Sequence, residues 1–340
     1  MDMCLFGTSA LEALRSPVLA RGGLAGFART SATAGLGVPR LRELNEELAS
    51  LGIRLDRAHV LVASDSASHG RRGVMRHVCR APLPRGSLVR LTSRLLVPVP
   101  ALCFVQLADP SFEGRSLVHG GVTSAASQSS ARLVRMAELA AVGFELAGTY
   151  RVDPASRDGF VNIPRAATSA EALGRYIGSL ERVRGLPLAR RAAALVQDGS
   201  HSCGETSMAL MLCAPRSLGG VGLPRGELNR RIATATGARY VDLAWAASKV
   251  GAEYKGRRHH LGGHVSQDDR RGNKLVGRGF RIVNVWHEDL ARPQLFDELV
   301  ADIARALGVR VRIRDDGFRV RQNLLRAAVL PPLRRYDDLA

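Results

Sequence analysis

The residues best suited to chemistry lie in Tyr240-Val241-Asp242-Leu243-Ala244 and, eleven positions after Asp242, in Val250-Gly251-Ala252-Glu253-Tyr254-Lys255. Asp242 and Glu253 each end or interrupt an apolar run, so two adjacent strands could aim both carboxylates at one point. Hard oxygen ligands of this kind suit Mg²⁺ or Mn²⁺, which take one or two protein carboxylates and keep several waters. Period-two alternation sends Glu253 and Lys255 to one face and Tyr254 to the other. The chemistry expected is phosphodiester hydrolysis. Asp242 and Glu253 hold the ion, while Lys255 positions a water or screens the charge that develops on the phosphate. Among the 49 Lys and Arg residues only Lys249, Lys255 and Lys274 are lysine, so an ammonium at this position stands out, although all three fall in one region.

Further residues could join this set. Glu205 opens a helix after the break at Gly204, where a carboxylate suits the helix start, and it could face the metal as a third acid. His259 and His260 could orient a water, but read first as surface phosphate contacts or solvated residues. A zinc site from His201, Cys203, Cys213 and His264 is disfavoured, because the cysteines lack the spacing of a close ligand pair. Trp245 and Trp286 follow apolar runs and read as core or rim residues before base-stacking groups. A solvated hairpin face carrying an ion pair would also satisfy the Asp242, Glu253 and Lys255 pattern.

The elements that must position these residues follow from periodicity. Residues 1–55 read as helical segments broken by Gly and Pro. Strands are expected at Ala58–Ala63, Gly73–Arg80, Leu88–Leu91 and Leu95–Pro98, and a helix from Pro100. Residues 113–131 are rich in Gly, Ser, Ala and Thr and read as a surface loop. Helices are expected at Ala131–Phe144, Ser169–Val183, Leu188–Val196 and Glu205–Cys213, with a loop over Pro215–Gly226. Strands at Arg239–Leu243 and Val250–Tyr254, a helix near Ser266–Arg278 and a strand at Phe280–Val285 complete an α/β pattern. From Val309, alternating Val and Arg look like a strand with one cationic face. The expected division is 1–197, 198–308 and a basic extension, 309–340.

At 340 residues the chain is long enough for two cores, and 46% hydrophobic residues exclude a mostly disordered chain. With aromatics at 5%, the cores must rely on Leu, Val and Ala. The net charge of +18 points to a polyanion, DNA ahead of an anionic membrane surface. Arg257, Arg258, Arg270 and Arg271 are candidate phosphate contacts. No apolar run is long enough to span a membrane. The first 40 residues are poor in acids, as in a transit peptide, but Pro39 and an interrupted apolar pattern argue against one. Five widely spaced cysteines argue against a disulfide framework, so a cytoplasmic protein is expected.

Glu205 in Gly-Glu-Thr-Ser, Asp242 in Arg-Tyr-Val-Asp-Leu-Ala, Glu253-Tyr-Lys255, and the basic run through Arg270-Arg271 to Phe280-Arg-Ile-Val together resemble the core of PD-(D/E)XK nucleases, nearest the very-short-patch-repair-like group. The resemblance covers about residues 200–290. It implies a restriction-endonuclease-like αβββαβ core, Mg²⁺-dependent DNA cleavage, and an active-site set of Glu205, Asp242, Glu253 and Lys255. Val241 stands where the proline of the family name would precede the acid. More diffusely, residues 1–150 resemble abortive-infection antitoxin-type proteins, which implies a mixed α+β region with a winged-helix start and a regulatory or DNA-recognition role. The expected function is a metal-dependent DNA endonuclease. The alternatives are a non-catalytic DNA-binding regulator of the antitoxin type on an inactive nuclease fold, and a nucleic-acid scaffold. A second copy of the chain or a toxin–antitoxin-type protein are the candidate protein partners.

Overall fold

The computed structural model describes residues 1–64, 71–112, 116–118, 127–234, 237–255, 275, 277–313 and 315–330. The protein is a mixed α/β structure with a six-stranded, a two-stranded and a four-stranded sheet. The first part contains β1 (Met3–Leu5), α1 (Gly7–Leu14), α2 (Pro17–Gly22), β2 (Arg29–Thr30), α3 (Leu41–Leu48), β3 (Ala58–Val62), β4 (Val74–Val78), β5 (Leu88–Arg90), β6 (Leu95–Pro98) and α4 (Pro100–Leu107). Its strands lie in the order β2-β5-β6-β1-β3-β4. The interior strand β1 runs parallel to β6 and antiparallel to β3, with Cys4 opposite Leu61 and Leu96. Residues 1–55 are therefore not helical throughout. Three apolar residues are too few to show a period, and only pairing on both sides makes Met3–Leu5 a strand. All five residues of β3 are buried, which accounts for its nearly continuous apolar run.

The middle of the chain forms α5 (Gln128–Leu146), the hairpin β7 (Tyr150–Val152) and β8 (Phe160–Asn162), α6 (Ala170–Gly178) and α7 (Leu186–Ala193). Every residue of α5 from Val134 to Leu146 is buried, because it packs against α4, α7 and elements from the second half. A helix enclosed this way needs no polar face. Buried charges on it must be paired. Glu145 accepts from Arg15 Nε at 2.8 Å and Nη2 at 2.6 Å, and from the Val152 N–H at 2.9 Å.

The second half contains α8 (Cys203–Cys213) and the sheet β12-β11-β10-β9, built from β9 (Glu227–Thr234), β10 (Gly237–Trp245), β11 (Val250–Lys255) and β12 (Arg281–Trp286). β9, β10 and β11 are antiparallel in sequence order, and β12 joins β11 in parallel. The expected helix near Ser266–Arg278 lies almost wholly outside the described residues. Helices His287–Ala291, Pro293–Leu307 and Phe318–Val329 follow.

Two expectations are corrected here. β9 occupies residues assigned to no element, since its exposed arginines blur the alternation. Residues 309–313 form no strand, and the chain instead ends its described course in the Phe318–Val329 helix. Alternation makes a strand only where a neighbour supplies the hydrogen-bond ladder. The last helix packs on α5 and α8, and Ser207 Oγ donates to the Val329 carbonyl at 2.8 Å. One connected core of buried side chains runs from Met3 to Leu330, across positions 198 and 309. Among the described residues, no helix is long and apolar enough to cross a membrane.

Removing one partner of the Arg15–Glu145 pair strands a buried charge. Glu145→Ala should lower stability by about 3–5 kcal/mol in urea denaturation. A loss below about 1 kcal/mol would mean that solvent reaches the abandoned guanidinium.

Candidate active site

The site begins at the start of α8. Ser202 caps the helix, its Oγ accepting from the Glu205 N–H at 3.1 Å. The Glu205 carboxylate accepts in return from the His201 N–H at 2.8 Å and from Ser202 Oγ at 3.1 Å. This is a capping arrangement of the Ser-x-x-Glu kind; the helix starts at Cys203, two residues before the expected start, so Gly204 is no break and Glu205 lies inside the first turn. Glu205 has one further partner, Asn229 Nδ2 at 2.5 Å, which also donates to the Gly199 carbonyl at 2.8 Å. Asn229 lies in β9 with φ at +45°, a left-handed backbone that Asn tolerates better than most residues. One side chain thereby binds the helix start to the sheet.

Across the sheet, β10 and β11 pair through Trp245–Val250, Ala244–Gly251 and Leu243–Ala252, and there the ladder stops. One more step of the same register sets Asp242 opposite Glu253. The Asp242 carboxylate takes the place of the missing ladder bond, Oδ2 accepting from the Tyr254 N–H at 2.8 Å. The flanking β9–β10 pairs, Val241–Arg230 and Leu243–Leu228, leave Asn229 facing Asp242. At this point β10 bends over β11. A β-carbon on Gly251 would lie 2.5 Å from Val241 Cγ1, so only glycine admits the approach.

On β11, Lys255 Nζ donates to Glu253 Oε2 at 2.8 Å, as alternation on one face requires. The pair is mostly buried, with side-chain exposures of 14% and 22%. Glu253 and Lys255 face Asn284 and Trp286 in the parallel register with β12. Tyr254 turns to the other face. Its ring lies against Gly204, where a β-carbon would come within 2.0 Å of Cε1. Its hydroxyl is 3.3 Å from His287 Nδ1.

Asp242 keeps a partial opening to solvent. Its carboxyl is nevertheless pushed up to about 7, chiefly by burial and next by the charge of Glu205. The Tyr254 N–H pulls it down, Glu253 raises it, and Lys255 lowers it. Burial also raises Glu205, against the pull of the His201 N–H, Asn229 and Ser202. The four residues singled out from the sequence, Glu205, Asp242, Glu253 and Lys255, are thus brought into one electrostatic neighbourhood. Arg257, Arg258, His259, His260, Arg270 and Arg271 lie outside the described residues.

Among the described residues, no group of three or more His, Cys, Asp or Glu side chains could hold a metal ion. The bonding explains why Glu205 makes a poor third ligand: its oxygens serve the helix cap and Asn229. The Asp242 and Glu253 carboxylates remain as a two-acid donor set, and this fits Mg²⁺ or Mn²⁺, whose other positions water can fill. A zinc site fails on geometry. Cys203 and Cys213 stand at the two ends of α8, about 15 Å apart along its axis. Burial pushes their thiols up to about 12 and about 11, away from the thiolate form zinc needs. All five cysteines are free. Trp245 is core, its Nε1 donating to the Pro224 carbonyl at 2.6 Å.

Sequence reasoning missed Ser202, Gly204 and Asn229. The first was readable from Ser-x-x-Glu. The other two act through close approach and a left-handed backbone, which spacing does not encode. No protein-family model, curated protein or solved structure matches this chain.

Gly204→Ala should cost about 1–3 kcal/mol in denaturation, because α8 must lift from β11 to make room. A neutral outcome would show that the Tyr254 ring swings aside freely. A second expectation concerns pH. Between its ordinary value of 3.8 and about 7, Asp242 holds a proton in the fold that the unfolded chain has lost. Its contribution to stability is therefore greatest below about pH 4 and falls as pH rises through 7. Asp242→Asn should raise the metal-free melting temperature at pH 8 and flatten its decline from pH 5.5. An unaltered pH slope in that variant would refute the assignment.

Proposed function

We propose that the chain is a metal-dependent nuclease that hydrolyses DNA phosphodiester bonds at Asp242, Glu253 and Lys255. The observation that carries this reading is that two strand-borne carboxylates, placed where β10 parts from β11, act electrostatically on each other, with an ammonium bonded to one of them. The order α8, β9, β10, β11, β12, with β12 parallel to β11, supports the αβββαβ core of PD-(D/E)XK nucleases. Fully ionised, Glu205, Asp242, Glu253 and Lys255 sum to a charge of about −2, which a divalent cation neutralises.

In this reading Asp242 and Glu253 hold the Mg²⁺ or Mn²⁺. The bound ion supplies charge neutralisation at the phosphate and a more acidic water. Lys255 keeps one proton directed at Glu253 and offers its others to a non-bridging phosphate oxygen, where negative charge builds up. The low solvent exposure of the Glu253–Lys255 pair strengthens that interaction. Glu205 acts from behind. It fixes the helix start to Asn229 and keeps a second negative charge near Asp242, so that a cation is favoured there. The excess of arginine over the rest of the chain attracts the polyanionic backbone.

The engagement of the Glu205 oxygens by the helix cap and Asn229 favours a second reading, a DNA-binding regulator on an inactive nuclease fold. Plasmid nicking in Mg²⁺ or Mn²⁺ separates the two. Glu253→Gln and Lys255→Ala should each slow nicking about 100-fold or more while leaving DNA affinity within about threefold. DNA binding by the wild type with no metal-dependent nicking in either ion would establish the regulator.

A further inference from the structure

The β9–β10 pairing does not end where the sheet does. β10 leaves β11 at Leu243, but its pairing with β9 continues through Val241–Arg230, Tyr240–Arg231, Arg239–Ile232, Ala238–Ala233 and Gly237–Thr234. Beyond Asp242, β9 and β10 therefore form a two-stranded ribbon, roughly 14 Å long at the rise of an extended chain. The bend at Asn229 and Asp242 sets its direction. Val241 and Ile232 pack with Leu275, Phe280 and Ile282 in a small core of their own, which holds the ribbon in place.

The ribbon's remaining surface is unusual for a sheet edge. Tyr240 is 57% exposed, directly across the strands from the exposed Arg231. Arg230 and Arg239 add two more cations, and Glu227 is the acid that answers one of them, pairing with Arg230 at 2.6 Å. An exposed tyrosine beside an exposed guanidinium offers a hydroxyl-tipped ring for a base edge and a charged donor for a phosphate together. A two-stranded β-ribbon has the width to enter the major groove of duplex DNA. Tyr240 lies only two residues from Asp242 along β10, about 7 Å at the rise of a strand and on the same face.

We infer that the β9–β10 ribbon, through Tyr240 and Arg231, is a duplex-DNA-binding arm that presents one strand to Asp242. The inference rests on the nuclease reading only in taking DNA as the partner, and its test is independent of cleavage. The full-length protein is titrated, in EDTA and at increasing salt, against a short fluorescein-labelled duplex and against one of its single strands. Tyr240→Ala combined with Arg231→Gln should weaken duplex binding about tenfold, which is what a lost groove contact and a lost phosphate contact are worth together. The slope of log affinity against log salt should fall by about 1, as expected for one lost phosphate contact. Single-strand affinity should change less than about twofold, because a single strand offers no major groove for the ribbon to enter. Arg231→Glu alone, whose side chain is exposed, should weaken duplex binding similarly and guards against misfolding of the double variant. Duplex affinity unchanged in both variants overturns the proposal, and so does an equal loss on single strand and duplex. A wild type that binds duplex through this arm yet never nicks would refute the nuclease reading and leave the arm standing.

Discussion

The candidate site depends on one buried carboxylate that holds a helix to a sheet. Glu205 takes donors from its own helix start, His201 and Ser202, and from Asn229 across on β9. Without the Asn229 contact, the apolar packing of α8 on this sheet, which is non-directional, would not by itself set the rotation of the helix start. A charged group in this position is costly unless its oxygens are met by donors, and that requirement selects one orientation. The same logic recurs at Asp242, met by the Tyr254 N–H, and at Glu253, met by Lys255. Three acids can lie near enough to act on one another because each has a donor of its own.

Packing then holds that arrangement rigid. α8 is buried from Gly204 to Leu212, between the four-stranded sheet on one side and α5 with the Phe318–Val329 helix on the other. The absence of a side chain at Gly204 lets Tyr254 lie against the helix, and its absence at Gly251 lets Val241 fold over β11. These two contacts bring the helix start and the bend of β10 close to the same stretch of β11. The first half of the protein contributes to this rigidity: α5, pinned by the Arg15–Glu145 pair, is the surface on which α8 rests. Tyr150 reaches α8 directly, its hydroxyl 2.8 Å from Thr206 Oγ1.

Much of this was legible in the chain. Asp242, Glu253 and Lys255 were readable because strand alternation is strictly local. Tyr254 had to face away from Glu253 and Lys255 whatever surrounded it. The strands at residues 58–62 and 250–255 and the helix ending at Cys213 showed in runs of apolar residues long enough to carry a period. The misses have physical causes. Met3–Leu5 is too short for any period, and β9 carries arginines on a face that no core requires to be apolar. The Val-Arg alternation after Val309 met no strand to pair with, and the segment passed into a helix docked on α5 and α8.

The sequence by itself determined which side chains could do chemistry, which of them share a strand face, and that the surface is strongly cationic. Those properties follow from residue type and from a two-residue repeat. The sequence offered Glu205 as a member of this set, but only the tertiary structure brought it, nearly forty residues before Asp242, near enough to raise the Asp242 carboxyl, and gave Asn229 a left-handed backbone that reaches it. The tertiary structure also decided that β9 and β10 stay paired beyond the point where β10 leaves β11. Such outcomes depend on which surfaces meet, on how closely glycine lets them approach, and on the need of every buried charge for a partner. No spacing along the chain records those relations.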